Sequence, residues 1–269
     1  MANRGAAVAI ISSQSEHEAL ATRESISGSG GRAIALKADV AEESDVQAMT
    51  LAVADAFDGI DYLINNAGTT RQLRFEDMDA ISSDIWDALI AVNVKGTFHC
   101  CRAAAPYLRR RPGSAIVNIG SIAGETGCGS SLPYAVSKSA VHGLTRSLAR
   151  ALAPAIRVNC VTPGAVATRW WAGNEEKMRM LAGSLALQRV STPQDIAETA
   201  LMLLKAESMT GQIIKVENGQ TLNSRNRRCE GTGARKSGPL PEGRRLPATI
   251  DAQSMAVRSR ICVMLTFTT

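Results

Sequence analysis

The chain has 269 residues, of which 45% are hydrophobic and 20% charged, and this composition predicts one large soluble domain or two small ones. A chain of this length can bury a core without metal or disulfide support. No run of eighteen apolar residues is present, which argues against a membrane-spanning helix, and the first residues lack the order of a secretion signal. Six cysteines without a C-x-x-C pair or a histidine at zinc spacing indicate a cytoplasmic protein with no metal site.

The net charge of +5 is concentrated at the C-terminal end. Residues 224–269 carry nine Lys and Arg but three Asp and Glu, whereas residues 1–223 have a net charge of −1. A basic segment attracts nucleic acid or anionic lipid, but Phe267 is the one aromatic residue here that could stack on a base. We therefore predict a folded domain over 1–223 and a disordered or non-native tail over 224–269, without nucleic-acid binding. The stretch 261–267 (ICVMLTF) is apolar and β-prone, an aggregation hazard.

Short apolar runs alternate along the chain with longer segments of helical pattern. The runs are 8–11, 33–36, 62–65, 115–119, 157–161 and 212–216, and the helical segments are 14–27, 42–57, 83–110, 133–153 and 193–205. Runs that are continuously hydrophobic predict strands buried on both faces, as in a parallel sheet. Asp84 and Thr192 lie at expected helix N-caps. The predicted class is α/β, with a doubly wound parallel sheet.

Small, polar or turn-forming residues follow five of the predicted strands. In such a sheet, ligands bind beyond the carboxyl ends of the strands, so these residues are predicted to meet at one cleft. Each pair or triplet alone is ordinary turn chemistry. They are Ser12-Ser13, Asp39-Val40, Asn66-Ala67-Gly68, Gly120-Ser121 and Thr162-Pro163-Gly164.

Tyr134 and Lys138 are four residues apart at the start of a predicted helix, which places the phenol and the ammonium on one face. The lysine charge stabilises the phenolate form of the tyrosine, as an acid–base catalyst at neutral pH requires. Ser121, at the end of a buried strand, can hydrogen-bond a substrate oxygen whose charge changes during the reaction. Asn93 lies inside the preceding long helix. A tyrosine and a lysine at this spacing also occur as a simple surface pair.

Five motifs appear in order: NNAG at 65–68, VNVKGTF at 92–98, IVNIGS at 116–121, YAVSK at 134–138 and VTPGAVAT at 161–168. From about residue 5 to residue 222 the sequence closely resembles the short-chain dehydrogenase/reductase family. The resemblance implies a Rossmann-like single domain, and an NAD(P)(H)-dependent oxidoreductase that interconverts a carbonyl and a secondary alcohol. It also implies a homodimer or homotetramer. The members it resembles include 3-oxoacyl-carrier-protein reductases and glucose dehydrogenases.

The resemblance also implies roles for single residues. Tyr134 would be the general acid–base, Lys138 would stabilise its phenolate and hold the nicotinamide ribose, and Ser121 would position the substrate oxygen. Asn93 would anchor a water that relays protons, or alternatively make a hydrogen bond at a helix kink. The other cofactor contacts would be Asp39 and Val40 at the adenine, Asn66, Ala67 and Gly68 on the adenosine side, and Pro163, Gly164, Val166 and Thr168 near the nicotinamide and phosphate.

Cofactor choice and substrate contacts depend on two further segments. Ser12 and Ser13 follow the first strand with no acidic residue before Glu16, which favours NADP(H) over NAD(H), because NAD enzymes usually place an acid there. Trp170 and Trp171 resemble the family's mobile lid and would shield a small oxo or hydroxy substrate from water. Packing against the core is the alternative for both tryptophans.

The chain departs from the family pattern at its N-terminal end. The first strand and the T-G-x-x-x-G-I-G loop that receives the pyrophosphate are missing, and Gly28–Gly31 reads as a helix-ending turn. Without a strand that lies mid-sheet, its two neighbours are expected to lose hydrogen-bond partners, and the pyrophosphate to lose its cradle. We therefore expect 1–223 to be a truncated Rossmann domain, from either a truncated form or a degenerate copy of a family member, that binds cofactor poorly and folds poorly. Two alternative functions remain: an inactive homologue that serves as an oligomer partner or scaffold, and an anion- or RNA-binding adaptor that uses the basic tail.

Overall fold

The computed structural model describes residues 1–2, 5–168, 171 and 173–222 in full, and residues 262–267 by their backbone. Within these residues the strands are β1 (Ala7–Ser12), β2 (Arg32–Lys37), β3 (Tyr62–Asn65), β4 (Ala115–Ile119), β5 (Arg157–Pro163), β6 (Ile213–Val216) and β7 (Cys262–Phe267). They form one parallel sheet in the order β2-β1-β7-β3-β4-β5-β6. The predicted doubly wound α/β class is confirmed.

The described helices connect these strands. They are α1 (Glu16–Gly28), α2 (Glu43–Phe57), α3 (Ser83–Ile90), α4 (Thr97–Leu108), α5 (Ala123–Thr126), α6 (Leu132–Leu152), α7 (Glu175–Ser184) and α8 (Pro193–Lys205), with a π-helical turn, Ala91–Gly96, between α3 and α4. The predicted helix over 83–110 is therefore interrupted. Gly28 ends α1, and the Gly31 N–H donates to the Ile26 carbonyl at 2.9 Å, which confirms the predicted helix-ending turn. No described helix is both long enough and apolar enough to span a membrane.

The sheet is covered on both faces, as its continuous apolar runs predict. Leu63 of β3 belongs to a core cluster that includes residues of α2, α4 and α6. Its neighbour Ile64 belongs to a second cluster, with Leu203 and Leu204 of α8. Successive strand residues point to opposite faces, so each face of the sheet has its own layer of helices.

The central position between β1 and β3 is filled by β7. Six residues of β1 pair with β7, from Ala7 with Cys262 to Ser12 with Phe267. Four residues of β3 pair with it, from Tyr62 with Val263 to Asn65 with Thr266. The expectation that these neighbours lose their partners is therefore wrong. The β-prone character of 261–267 was visible in the sequence, but its partners lie too far along the chain for local pattern to identify. The rest of the predicted tail lies outside the described residues.

Two predicted N-caps have different outcomes. Ser82, not Asp84, caps α3, since its Oγ accepts from the Ile85 N–H at 3.4 Å; Asp84 lies in the first turn. Thr192 caps α8 as predicted, and its Oγ1 accepts from the Asp195 N–H at 3.2 Å, while Asp195 Oδ2 accepts from the Thr192 N–H at 2.7 Å. This reciprocal pair is a capping box, which stabilises the start of the helix.

Candidate functional site

The predicted strand-end residues lie along one edge of the sheet. In register, Ser12 is level with Lys37 and Phe267, and Asn65 is level with Asn118. The strands are parallel, so the residues that follow their carboxyl ends lie at the same edge. The five predicted loop clusters are therefore arranged along one edge, as expected.

Tyr134 and Lys138 lie in the first two turns of α6. Ser131 caps this helix, since its Oγ accepts from the Tyr134 N–H at 3.4 Å, and Pro133 is in the first turn. Lys138 is 5% exposed, and its Nζ lies 5.8 Å from the Tyr134 ring centroid. The same Nζ donates to the Ile119 carbonyl at 3.0 Å, at the end of β4. The buried ammonium therefore lies beside a half-buried phenol at the start of α6.

Ser121 follows β4 and is fixed by its neighbours on both sides. The Gly120 N–H donates to Val161 O at 2.8 Å, and the Ile122 N–H donates to Pro163 O at 3.0 Å. The Ser121 Oγ accepts from the Ala123 N–H at 3.2 Å, at the start of α5. This segment is therefore bound to β5, and the serine hydroxyl lies between β4 and α5.

The short helix α5 fastens this segment to α6. Gly124 lies so close to α6 that an added Cβ would be 2.6 Å from the Lys138 carbonyl carbon and 2.6 Å from the Ser139 nitrogen. Ser139 Oγ donates to Gly124 O at 2.6 Å. The serine and the tyrosine–lysine pair are therefore positioned relative to one another by a backbone-to-backbone contact.

Asn93 is buried inside the π-helical turn. Its Nδ2 donates to Thr69 O at 3.0 Å and to Ser137 Oγ at 2.9 Å, while its Oδ1 accepts from the Thr69 N–H at 2.7 Å. π-helical turns inside α-helices commonly mark functional sites. These contacts fit the predicted hydrogen bond at a helix kink, and a water-holding role stays a prediction.

Ser137 is a site residue that the sequence analysis missed. Its Oγ donates to the Tyr134 carbonyl at 2.7 Å and accepts from Asn93, so it joins the π-helical turn to the start of α6. A serine that bonds back three residues within a helix is common, and the spacing from Tyr134 is visible in the sequence. Only the contact with Asn93, which lies 44 positions away, identifies Ser137 as part of the site.

His142 lies one turn beyond Lys138, behind the segment that carries Ser121. An added Cβ on Gly120 would be 2.7 Å from His142 Nε2, and this nitrogen lies 3.4 Å from Thr162 Oγ1. Burial lowers the pKa of His142, and the charges of Arg146 and Lys138 lower it further. A neutral imidazole therefore supports the back of the site.

The predicted adenine-side residues occupy the other half of the edge. Asp39 Oδ1 accepts from the Ala41 N–H at 2.9 Å. Val40 is buried against Gly96, whose added Cβ would lie 2.7 Å from Val40 Cγ2. Ser12 is buried at the end of β1, and its carbonyl accepts from Ala38 at 3.0 Å. Ser13, next along the chain, is half-buried.

Gly68 connects the two halves of the site. An added Cβ there would lie 3.4 Å from Asn93 Oδ1 and 3.4 Å from Lys138 Nζ, and Asn66 and Ala67 precede it on the same loop. Gly68 therefore adds no side chain beside Lys138, which is itself 5% exposed. A vicinal diol such as a ribose fits a buried ammonium of this kind, because Nζ has further protons to donate.

The loop after β5 is fastened to the next strand. Gly164 donates through its N–H to Val216 O at 3.0 Å, and Val166 forms a bridge with Ser191. Pro163 ends β5, and Thr168 accepts from the Trp171 N–H at 3.1 Å. The indole Nε1 of Trp171 donates to Val166 O at 3.0 Å, so Trp171 folds back on this loop. Trp170 lies outside the described residues.

The residues present fit the nicotinamide half of a dinucleotide better than its pyrophosphate. Lys138 and Ser121 offer the buried ammonium and the hydroxyl that could serve this half, with Gly68 beside the ammonium. The pattern T-G-x-x-x-G-I-G does not occur in the sequence, and within the described residues no equivalent glycine-rich loop follows a strand. The described residues therefore include groups that fit a ribose, whereas no glycine-rich loop for the pyrophosphate is found among them.

The chain is similar to several known proteins. A family model described as enoyl-(acyl carrier protein) reductase matches residues 1–221. The short-chain dehydrogenase/reductase homologue YusR of Bacillus subtilis is 62% identical over 129 residues, which are 48% of this chain and 100% of that protein. The 3-oxoacyl-[acyl-carrier-protein] reductase FabG of Staphylococcus aureus is 35% identical over 226 residues, 81% of this chain and 89% of FabG. A solved short-chain dehydrogenase/reductase from Serratia marcescens superposes with a TM-score of 0.75 at 32% identity, covering 82% of this chain and 89% of that one.

Proposed function

Because the chain belongs to the short-chain dehydrogenase/reductase family, and is accordingly an NAD(P)-dependent oxidoreductase acting on CH–OH or carbonyl groups, we propose that Tyr134 is its general acid–base. The observation that carries this proposal is the buried Lys138 ammonium, 5.8 Å from the Tyr134 ring. The Tyr134–Lys138 pair lies at the same edge of the sheet as Ser121.

The proposed mechanism gives a separate role to each of three side chains, those of Tyr134, Lys138 and Ser121. The nicotinamide, when bound, supplies or accepts the hydride. The Tyr134 hydroxyl gives a proton to the carbonyl oxygen during reduction and takes it back from the alcohol during oxidation. Lys138 stabilises the phenolate that is left and donates to the ribose hydroxyls. Ser121 donates a hydrogen bond to the substrate oxygen, where negative charge develops.

Asn93 has a positioning role in this proposal. Its amide holds the loop at Thr69 on one side and Ser137 on the other. Through Ser137 it reaches the carbonyl of Tyr134. Proton exchange with solvent through a water held at Asn93 is part of the proposal.

The residues at the carboxyl end of β1 support a proposal on which cofactor is preferred. Ser12 and Ser13 place hydroxyls, and no carboxylate, where a dinucleotide ribose would lie, which favours NADP(H) over NAD(H). The remaining cofactor contacts are proposed at Asp39, Val40, Asn66, Ala67, Gly68, Pro163, Gly164, Val166 and Thr168. Titration with NADPH and NADH, followed by nicotinamide fluorescence, tests this preference; equal affinities would contradict it.

The proposed substrate class is a 3-oxoacyl thioester. It is supported by the name of the Staphylococcus aureus relative, a 3-oxoacyl-[acyl-carrier-protein] reductase. Trp170 and Trp171 are proposed to border the substrate. We also propose that the protein is a homodimer or homotetramer and that it is located in the cytoplasm. An inactive scaffold is not favoured, since the relatives include a 3-oxoacyl-[acyl-carrier-protein] reductase.

The test measures the oxidation of NADPH in the presence of acetoacetyl-CoA. The reduction of NADP⁺ in the presence of glucose is measured alongside it, to test the alternative of a sugar substrate. Replacing Tyr134 by Phe removes the proton donor, so we expect kcat to fall by about 10²–10⁴ while NADPH affinity is retained. Tyr107→Phe on α4 is the matched control and is expected to leave kcat unchanged. A Y134F enzyme as active as its parent would refute the assignment.

A further inference from the structure

β7 bridges two strands that do not pair with each other. In the sheet order, β1 pairs with β2 and β7, and β3 pairs with β4 and β7. All six residues of β1 are buried, and so are three of the four in β3. The inner edges of both strands therefore depend on β7 for backbone partners, and water cannot readily replace it there.

β7 also lies where the order of the chain reverses in the sheet. From β7, β1 and β2 extend to one side, while β3, β4, β5 and β6 extend to the other. In open α/β sheets, a ligand lies beyond the carboxyl ends of the strands at such a reversal. Phe267 is in register with Ser12, and Thr266 with Asn65, which directly precedes Asn66, so the end of β7 lies next to proposed cofactor residues on both sides.

We propose that residues 262–267 form a docking strand that serves as the floor of the cofactor crevice, so that strand seating and cofactor binding stabilise each other. The position of β7 between β1 and β3 is inferred from the strand pairing alone. Its coupling to cofactor binding rests on the proposed function. A cofactor that binds only the seated form must stabilise that form, and the reciprocal effect follows from linkage. The occupant of the slot is the chain's own C-terminal segment, not that of a second copy.

A cross-link within the full-length chain tests the seating. Ala7 is the register partner of Cys262, so Ala7→Cys places a second thiol on the neighbouring strand, within the span of a disulfide. Arg32→Cys is the matched control, because Arg32 is level with Ala7 on β2 and therefore about 10 Å from β7.

After mild oxidation and peptide mass spectrometry, we expect about tenfold more linkage of Cys262 to position 7 than to position 32. Equal yields would overturn the seating of β7. A linkage found only in covalent dimers on a non-reducing gel would overturn the assignment to the same chain.

Hydrogen exchange on the unmodified chain tests the coupling. We expect protected amides in 262–267, and with NADPH at 100 times its Kd a further slowing of about 100-fold in 262–267. Rapid exchange of 262–267 under all conditions would overturn the seating. Slowing at 66–68 and 119–121 without slowing at 262–267 would overturn the coupling and leave the proposed function intact. No slowing anywhere, with NADPH or NADH, would contradict the proposed function and with it the coupling, while the cross-link would still report on the strand.

Discussion

His142 approaches the Ser121 segment closely because residue 120 is a glycine. The imidazole is buried, and its pKa is lowered by that burial and by the charges of Arg146 and Lys138. In the unfolded chain the same group would titrate at its ordinary pKa, about 6.5. The folded state therefore binds fewer protons than the unfolded state once the pH falls to that range.

This difference predicts how stability depends on pH. The stability contributed by neutral His142 is fully present above about pH 6.5 and is lost as the pH falls from there towards the lowered folded pKa, by at most about 1.4 kcal/mol per pH unit. His142→Gln cannot titrate, so we expect its melting temperature to fall less than that of the parent between pH 8 and pH 5. Thermal unfolding followed by circular dichroism measures both; parallel curves would contradict the neutral, buried state.

At the residue scale, sequence reasoning singled out the proposed catalytic residues but not the residues that contact and position them. Tyr134, Lys138 and Ser121 were proposed because their residue types and spacing, within five motifs of the family, indicate acid–base chemistry. Ser137 was missed because its significance depends on a hydrogen bond to Asn93, far away in the chain. His142 was missed because its environment depends on how closely β4 approaches α6.

The contact between α5 and α6 fixes the geometry of the site at the scale of the element. An added Cβ on Gly124 would lie 2.6 Å from backbone atoms of Lys138 and Ser139, and backbone cannot move aside as a flexible side chain can. The two helices would have to separate, and Ser121 precedes one of them while Lys138 lies on the other.

We expect Gly124→Ala to lower the free energy of unfolding by about 1–3 kcal/mol and to lower kcat for carbonyl reduction. Gly143→Ala on α6 is the matched control, since no neighbouring atom lies within 4 Å of an added Cβ. This control is expected to raise stability by up to about 1 kcal/mol, through helix propensity. Urea unfolding of both variants measures the difference. Equal effects of the same sign would contradict the close contact.

The elements that local pattern predicted best are β3 and β4, whose observed bounds equal their apolar runs. A continuous apolar run is a local property, so it can be read from a few residues. The long helix over 83–110 was predicted without its π-helical turn, because Asn93 bonds to Thr69 in another part of the chain. The helices α5 and α7 were missed. α5 is a single turn, and α7 has no buried residues to produce an apolar period.

At the scale of the whole molecule, the sheet is complete only when its middle strand is present. Leu265 is in register with Ile10 of β1 and Ile64 of β3. Proline cannot donate to a strand ladder and is excluded from central strands.

We expect Leu265→Pro to lower the free energy of unfolding of the whole domain by about 3 kcal/mol or more, not merely to release the C-terminal residues. Leu265→Val is the control and is expected to have a smaller effect, because valine keeps the backbone N–H and suits a strand. Guanidinium unfolding followed by both far-ultraviolet circular dichroism and tryptophan fluorescence measures the change. An unchanged midpoint for L265P would show that the domain is stable without this strand.

The pairing of β1 with β7 also sets the order in which the protein can fold during its synthesis. β1 leaves the ribosome early, and almost the whole described chain must follow before its partner β7 is made. Until then, β1 and β3 expose unpaired edges, which attract other strands, and a contact so distant in the chain forms slowly. We expect chaperones to act on this protein late in translation, at the two edges of the gap that β7 closes.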